Sequence, residues 1–115
     1  MWIAGMTVRW TNSAIAHLVA IHEHIARDSP RYALRMVDRI TARTRQIGSF
    51  PLSGQSVTEY RDPAIREVIE GPYRVIYEVS GNDIRVLAVI HGARLLPLQP
   101  PKSENVEQSD AADSR

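Results

Sequence analysis

Three side chains in and after the apolar runs of residues 65–92 have the chemistry of a phosphate site. Arg74 lies within a run of β-branched and aromatic residues, and His91 and Arg94 come at the end of the next such run. A guanidinium can hold an oxyanion through two parallel hydrogen bonds, and an imidazole can exchange a proton near neutral pH. Arg74, His91 and Arg94 are therefore the candidate catalytic residues if the protein cleaves a phosphodiester.

Structural roles would explain the same residues. An arginine on a mostly buried strand is usually paired, and Glu67, Glu70 and Glu78 are near enough in the sequence to serve as its partner. A histidine at the end of a strand can equally form a hydrogen bond to the backbone. The sequence leaves both interpretations open.

A row of arginines marks the second predicted helix. They recur at every fourth position, as Arg31, Arg35, Arg39 and Arg43. Residues four apart lie on one face of a helix, where like charges repel one another unless an anionic partner covers them. The row is a candidate docking surface for an acidic protein segment or for nucleic acid; otherwise it is a solvated helix face.

No metal or cofactor is expected. The chain has no cysteine, which excludes disulfides and thiolate zinc sites. His17 and His24 share a face of the first predicted helix, but a helical metal pair normally uses positions four apart. Glycine-rich phosphate loops and the motifs of zinc proteases and serine hydrolases are missing.

Strands are predicted at 65–70, 73–79 and 84–91, because β-branched and aromatic residues fill these runs and turn formers separate them. Residues 7–10 form a further predicted strand and residues 55–59 a short one. Alternation by two should direct the all-apolar face of the strand at 73–79 towards the helices. It therefore turns Arg74 to the opposite, open face of the sheet.

Two helices are predicted between the first and second strands. Thr11, Asn12 and Ser13 supply N-cap side chains for a helix over 13–27, and Ser29-Pro30 begins a second helix that ends near Ile47, with Gly48 as its C-cap. The join between the helices is so short that they must form an antiparallel hairpin. The inner face predicted for the first helix consists of Ile15, Leu18, Val19, His22 and Ile25, with Ile21 at its edge.

The predicted fold is α+β with the order β-α-α-β-β-β, an antiparallel sheet and an N-terminal helical hairpin packed on one face. At 115 residues the chain suits one domain, which we assign to residues 1–101. Met6 is an alternative start that would make 1–5 an extension. Residues 102–115 have two basic and four acidic residues and are predicted to be a disordered acidic tail.

The charge and hydropathy of the chain indicate its kind of partner and its location. The tail carries a formal charge of −2, which leaves +3 on the rest, and thirteen of the fourteen basic residues are arginine. An arginine-rich body suits phosphates or acidic partners. No apolar run reaches the ~20 residues of a membrane span, and no signal peptide is recognisable, so a cytoplasmic location is expected.

Several motifs together carry a family resemblance. They are VRWTNSA before the first helix, IARDSPRYALRMVDRI across the helix junction, FPLSGQ after the second helix, and IREV, PYRVIY and LAVIHGARLL in the strands. In this order and spacing, over about residues 8–96, they resemble the RelE/ParE superfamily of toxins from type II toxin–antitoxin systems, which includes plasmid stabilisation proteins. The resemblance implies the β-α-α-β-β-β fold, with the concave face of the sheet as the working surface.

The resemblance also implies a toxin that a cognate antitoxin neutralises in a hetero-oligomer. An acidic, extended antitoxin segment would then cover the arginine row from Arg31 to Arg43. RelE-like members are ribosome-dependent endoribonucleases that cleave mRNA, and they use basic and aromatic residues around the phosphate. ParE-like members inhibit DNA gyrase and are not enzymes.

This sequence departs from the ribonuclease pattern. Arg74 and Arg94 match arginines of that group, but the strand before Gly71 offers Arg66 and no lysine, and no Tyr or His follows Arg94. A phosphate clamp without an acid or base stabilises charge but protonates poorly. The departures favour gyrase inhibition; an mRNA endoribonuclease and a non-toxic antitoxin-binding module are the alternatives.

Overall fold

The fold has the predicted β-α-α-β-β-β order, with one further short strand at Gln55–Ser56, where residues 55–59 were predicted. A computed structural model describes residues 5–92 together with 94, 96 and 100; the predicted tail at 102–115 lies outside this range. No helix in the described part of the chain is long and apolar enough to cross a membrane. The elements are, in chain order, β1 (Thr7–Trp10), α1 (Asn12–Ala26), α2 (Pro30–Ser49), β2 (Gln55–Ser56), β3 (Ile65–Glu70), β4 (Tyr73–Ser80) and β5 (Asp83–His91).

All five strands form one sheet in the order β1-β5-β4-β3-β2. The β3–β4 and β4–β5 pairs are antiparallel, because two-residue turns join them; Gly71 and Gly81 open these turns at φ 59° and 58°, a region that residues with a Cβ avoid. β2 also pairs antiparallel with β3. β1 is parallel to β5, so the antiparallel sheet predicted from the hairpins acquires one parallel edge strand.

Side chains that the sequence identified cap both helices, although α1 begins and ends one residue before the predicted 13–27. The Thr11 hydroxyl accepts a hydrogen bond from the Ala14 amide at 3.1 Å and donates one to the Val86 carbonyl at 2.9 Å. Ser29 caps α2 in the same way, through the Tyr32 amide at 3.1 Å, and Pro30 occupies the first helical position, where its missing N–H is harmless. Thr11 therefore fixes the start of α1 directly to β5.

The predicted end of α2 is wrong by two residues. The helix continues through Gly48 to Ser49, and Phe50 takes the C-cap position. Gly48 is helical and buried, and a Cβ there would lie 3.0 Å from the Met6 carbonyl oxygen. The glycine therefore allows β1 to approach the helix closely, rather than ending the helix.

The core face of α1 is rotated from the predicted one. Ala14 is fully buried, and Leu18, Ile21 and Ile25 pack against the main core. Val19, assigned to the inner face from the sequence, has 51% of its surface exposed. Positions 14, 18, 21 and 25 repeat at helical spacing, so the small Ala14 marks the true centre of the stripe.

A β-bulge in β5 distributes the apolar residues of that strand over both faces of the sheet. Tyr77 lies opposite Val86 and Ile76 lies opposite Ala88, so Leu87 is the extra residue. Val86 and Val89 belong to the cluster under the helices, whereas Leu87 and Ala88 belong to the cluster on the other face. An extra residue shifts the alternation of side chains by one. The side chains after Leu87 therefore point to the faces opposite to those they would occupy in a regular strand.

Tyr77 connects the sheet to the loop after α2. Its side chain is fully buried; its hydroxyl donates to the Pro51 carbonyl at 2.9 Å and accepts from the Gly54 amide at 3.0 Å. A Cβ at position 54 would lie only 2.5 Å from this hydroxyl. The loop is therefore held by two hydrogen bonds from one side chain.

Replacing Tyr77 with phenylalanine should lower the free energy of unfolding by about 1–3 kcal/mol, because a backbone donor and acceptor lose their partner. Urea unfolding measures this change. Tyr32→Phe is the matched control, since Tyr32 is 40% exposed, and should change stability by less than about 0.5 kcal/mol. Equal effects of the two variants would contradict the role given to the Tyr77 hydroxyl.

Candidate functional site

Arg74 lies on the face of the sheet away from the helices, as predicted. This face, which we continue to call the open face, is covered in part: Val57 and Tyr60 of the loop before β3 pack on it. Arg74 is opposite Ile90 across β4 and β5, and its side chain is only 12% exposed. The guanidinium does not stand free: its Nε donates to Glu67 at 2.6 Å, and its two terminal nitrogens donate to the carboxylate of Glu59 at 3.1 and 3.0 Å. Arg74 is thus held by two carboxylates at once.

The sequence identified one of these partners and missed the other. Glu67 was among the candidates, and it shares the open face because it lies two positions from Ile69, which pairs with Arg74. Glu59 comes from the irregular segment between β2 and β3, where no periodicity indicates which way a side chain points. Only the folded loop brings Glu59 to Arg74.

The electrostatics of this group favour the ionised forms. Hydrogen bonds from Arg74 lower the pKa of Glu59 to about 2, and hydrogen bonds to Glu59 and then Glu67 raise the pKa of Arg74. Two negative charges therefore face one positive charge. A phosphate arriving at Arg74 would have to displace a carboxylate and would meet net negative charge.

His91 and Arg94 lie on the other side of the sheet. The register pairs His91 with Tyr73, and the two rings meet edge to face with centroids 5.6 Å apart. Because Tyr73 belongs to the cluster under the helices, His91 points to that side. The predicted trio is thus divided: His91 and Arg94 are together, and Arg74 is across the sheet.

A cavity of about 320 Å³ lies between α1 and the end of β5. His91 and Arg94 line it with Tyr73 from β4, and α1 adds His17 and His24. The volume is at the lower end of the range for small-molecule sites. The described residues contain no group of three His, Cys, Asp or Glu side chains that could hold a metal ion.

His17 has a structural role that the sequence did not reveal. Its Nδ1 accepts a hydrogen bond from the backbone amide of Val89 at 3.1 Å. The pairing of β1 with β5 ends at Val86. Beyond this point the imidazole of His17, rather than a strand, accepts the hydrogen bond from the edge of β5. Burial, and next the charge of Arg94, lower the pKa of His17, which keeps the imidazole neutral and able to accept.

The arginine row on α2 is not uniform. Arg39 is paired with Glu70, with both Nε and Nη2 at 2.9 Å from the carboxylate. Arg43 is half-buried and donates to the Gln46 side chain at 3.2 Å. Arg31 and Arg35 are exposed and form no ion pair among the described residues.

A groove beside α2 includes only the second half of this row. Arg39 and Arg43 line it together with Arg45, which the four-residue pattern had not included. Arg31 and Arg35 are not among the residues that line it. The groove, and not the row itself, therefore gathers the positive charge of α2.

Comparison with known proteins gives one consistent family. Residues 8–96 match the family described as the ParE toxin of the type II toxin-antitoxin system parDE. The toxin RelE2 of Caulobacter vibrioides is 33% identical over 89 residues, which cover 76% of this chain and 97% of that protein.

Solved structures agree with this family. A chain of the chromosomal ParDE toxin–antitoxin system of P. aeruginosa superposes with a TM-score of 0.64 at 26% identity, covering 75% of this chain and 95% of the other. A chain of the RelBE2 toxin–antitoxin complex of Mycobacterium tuberculosis gives a TM-score of 0.56 at 21% identity and covers 81% and 98%. The second likeness concerns the fold alone.

Arg74→Met should return the pKa of Glu59 from about 2 to near its ordinary value of 4.5, because the hydrogen bonds that lower it are lost. It should also lower the free energy of unfolding by about 3 kcal/mol or more, since Glu67 would lose its partner while nearly buried. A carboxyl-carbon NMR titration and urea unfolding measure the two effects. Glu67→Gln in the Arg74→Met background should recover part of the stability; no recovery would contradict the coupling.

Acid should destabilise the protein through His17. Its folded pKa lies below the ordinary 6.5, so as the pH falls the unfolded chain takes up the proton first. The stability from neutral His17 is therefore complete above about pH 6.5 and declines as the pH falls towards its folded pKa. His17→Asn keeps an acceptor near Nδ1 but does not titrate, so its free energy of unfolding should fall less between about pH 7.5 and about pH 5.5. Identical urea-unfolding profiles would count against this assignment.

Proposed function

We propose a target for this chain from the premise that it belongs to the ParE toxin family of type II toxin–antitoxin systems: it inhibits DNA gyrase and is not an mRNA endoribonuclease. It is a toxin, its partner is an antitoxin, and its site of action is the cytoplasm, where gyrase works. The proposal concerns the target and, with it, the cytoplasmic location.

One observation carries the proposal: Arg74 is neutralised by Glu59 and Glu67. Cleavage of a phosphodiester needs positive charge where the transition state gains negative charge. On the open face the two carboxylates occupy the guanidinium that would supply it. The only other arginine of the predicted site, Arg94, lines a cavity on the opposite side, so the two cannot clamp one phosphate.

A second candidate, ribosome-dependent mRNA cleavage, has one observation in its favour. His91 and Arg94 line one cavity, so an imidazole and a guanidinium could act there on the same phosphate without Arg74. In that case Arg94→Ala would abolish toxicity and leave the fold intact, whereas Arg74→Ala would reduce toxicity only as far as it reduces stability.

The expected result is that induction of the toxin without its antitoxin first stops DNA synthesis. Gyrase inhibition blocks replication directly, whereas translation fails only later. Pulse labelling with thymidine and methionine in parallel cultures measures the order. In purified reactions the protein should inhibit supercoiling by gyrase and leave a reconstituted translation reaction active.

Translation that collapses before DNA synthesis, with cleaved mRNA, would replace the proposal with the endoribonuclease. Growth without any change in either synthesis would instead point to a module that only binds its antitoxin. A heat-denatured sample serves as the control in the purified reactions.

A further inference from the structure

The outer edge of β3 is only partly covered. β2 pairs with Glu67 and Arg66 alone, so within the described chain no strand lies outside residues 68–70. The Val79 amide donates to the Ala64 carbonyl at 2.8 Å. Residues 64 and 79 are therefore a hydrogen-bonded pair, and along β3 every second residue from Ala64 is bonded to β4. By that alternation the N–H and C=O of Ile69 point away from β4, towards the uncovered side.

A groove runs along this uncovered edge. One end is lined by Arg39, Arg43 and Arg45 of α2, and the other by Ile69 and by Ser53 and the loop around it. Arg43 borders both ends, so the two depressions lie side by side. Residues of β3 line both of them, Val68 and Ile69 at one end and Glu70 at the other.

The charge of the groove is positive. Its three arginines face two carboxylates that are already bonded, Glu70 to Arg39 and Glu67 to Arg74. Among the described residues Arg45 forms no ion pair, and Arg43 donates to a neutral side chain, that of Gln46. A partner bearing carboxylates would pair with these two charges.

Apolar surface accompanies this charge. Ile69 is 48% exposed and Leu52, in the loop next to the groove, is 65% exposed. An open strand edge with exposed apolar side chains is a template for another strand. Extended segments that dock in this way alternate side chains that face the sheet with side chains that point away.

We propose that the antitoxin docks on this edge as an added β-strand, with an extended segment in which acidic and apolar residues alternate. Its backbone pairs with Ile69, its carboxylates meet Arg43 and Arg45, and its apolar side chains cover Ile69. The proposal rests on the antitoxin partnership given under the proposed function, but it does not depend on which target the toxin inhibits. From the sequence, the antitoxin was expected to cover the whole row from Arg31 to Arg43, whereas this proposal places its contacts in the groove and not at Arg31 and Arg35.

The backbone pairing is tested with Ile69→Pro, and with Ile69→Val as its matched control. Proline removes the outward N–H and is tolerated where that N–H faces solvent on an edge strand. The probe is the purified antitoxin encoded by the gene adjoining this one, titrated calorimetrically. Ile69→Pro should weaken binding about tenfold or more, as expected for a lost backbone hydrogen bond in an interface, and Ile69→Val by less than about twofold.

The charge contacts are tested with two variants of equal net charge. Arg43→Glu with Arg45→Glu should weaken binding by about a hundredfold, because carboxylates would then face carboxylates, whereas Arg31→Glu with Arg35→Glu should change binding by less than about threefold. The thermal unfolding of each variant shows whether it is folded. An equal or greater loss from the Arg31 and Arg35 pair would overturn the proposal.

Hydrogen exchange on the unaltered protein provides a test that needs no variant. The amide of Ile69 should exchange more slowly when the antitoxin is bound. If the antitoxin binds and this amide exchanges as before, the strand addition is wrong. Inhibition of gyrase by Ile69→Pro in the absence of antitoxin is measured in parallel, so that a failure of the docking proposal is distinguished from a failure of the proposed target.

Discussion

The extra residue in β5 is the constraint on which the arrangement of this protein depends. Leu87 shifts the alternation of the strand, so that Val86 and Val89 both reach the core under the helices while Ala88 and Ile90 fill the other face. A regular strand would have placed His91 on the same face as Arg85 and Leu87 rather than beside Tyr73. The bulge thereby places His91 and Arg74 on opposite faces of the sheet, although both had been assigned to one phosphate site from the sequence.

On the open face, this separation leaves a structural group where a phosphate site was predicted. Arg74 occupies the centre of the sheet, and a nearly buried guanidinium is stable there only with anionic partners. Glu67 and Glu59 provide them from a strand and a loop. The same contacts that stabilise the open face make it a poor surface for RNA. This stabilisation is the physical basis for preferring gyrase, a protein target, over cleavage of a phosphodiester.

At the two edges of the sheet, neighbouring elements determine which backbone N–H and C=O groups a partner can reach. Beyond β1, the edge of β5 is served by α1 through His17 and the Val89 amide. The edge of β3 beyond β2 has no comparable element among the described residues, and it runs beside the arginines of α2. One exposed edge is thus protected by the fold itself, and the other is the edge on which we propose that the antitoxin docks.

The sequence by itself determined the elements, their order and the family, because alternation, caps and turn residues act within a few positions: β1 and β3 were predicted to the residue, and Thr11 and Ser29 cap as expected. Tertiary structure alone decided what depends on distant contacts. The bulge at Leu87, the approach of β1 to Gly48, and the reach of Glu59 to Arg74 arise from packing between segments far apart in the chain. For this reason Arg74 has a structural role instead of the predicted catalytic one. A local pattern shows which face a side chain occupies but not which groups it contacts there.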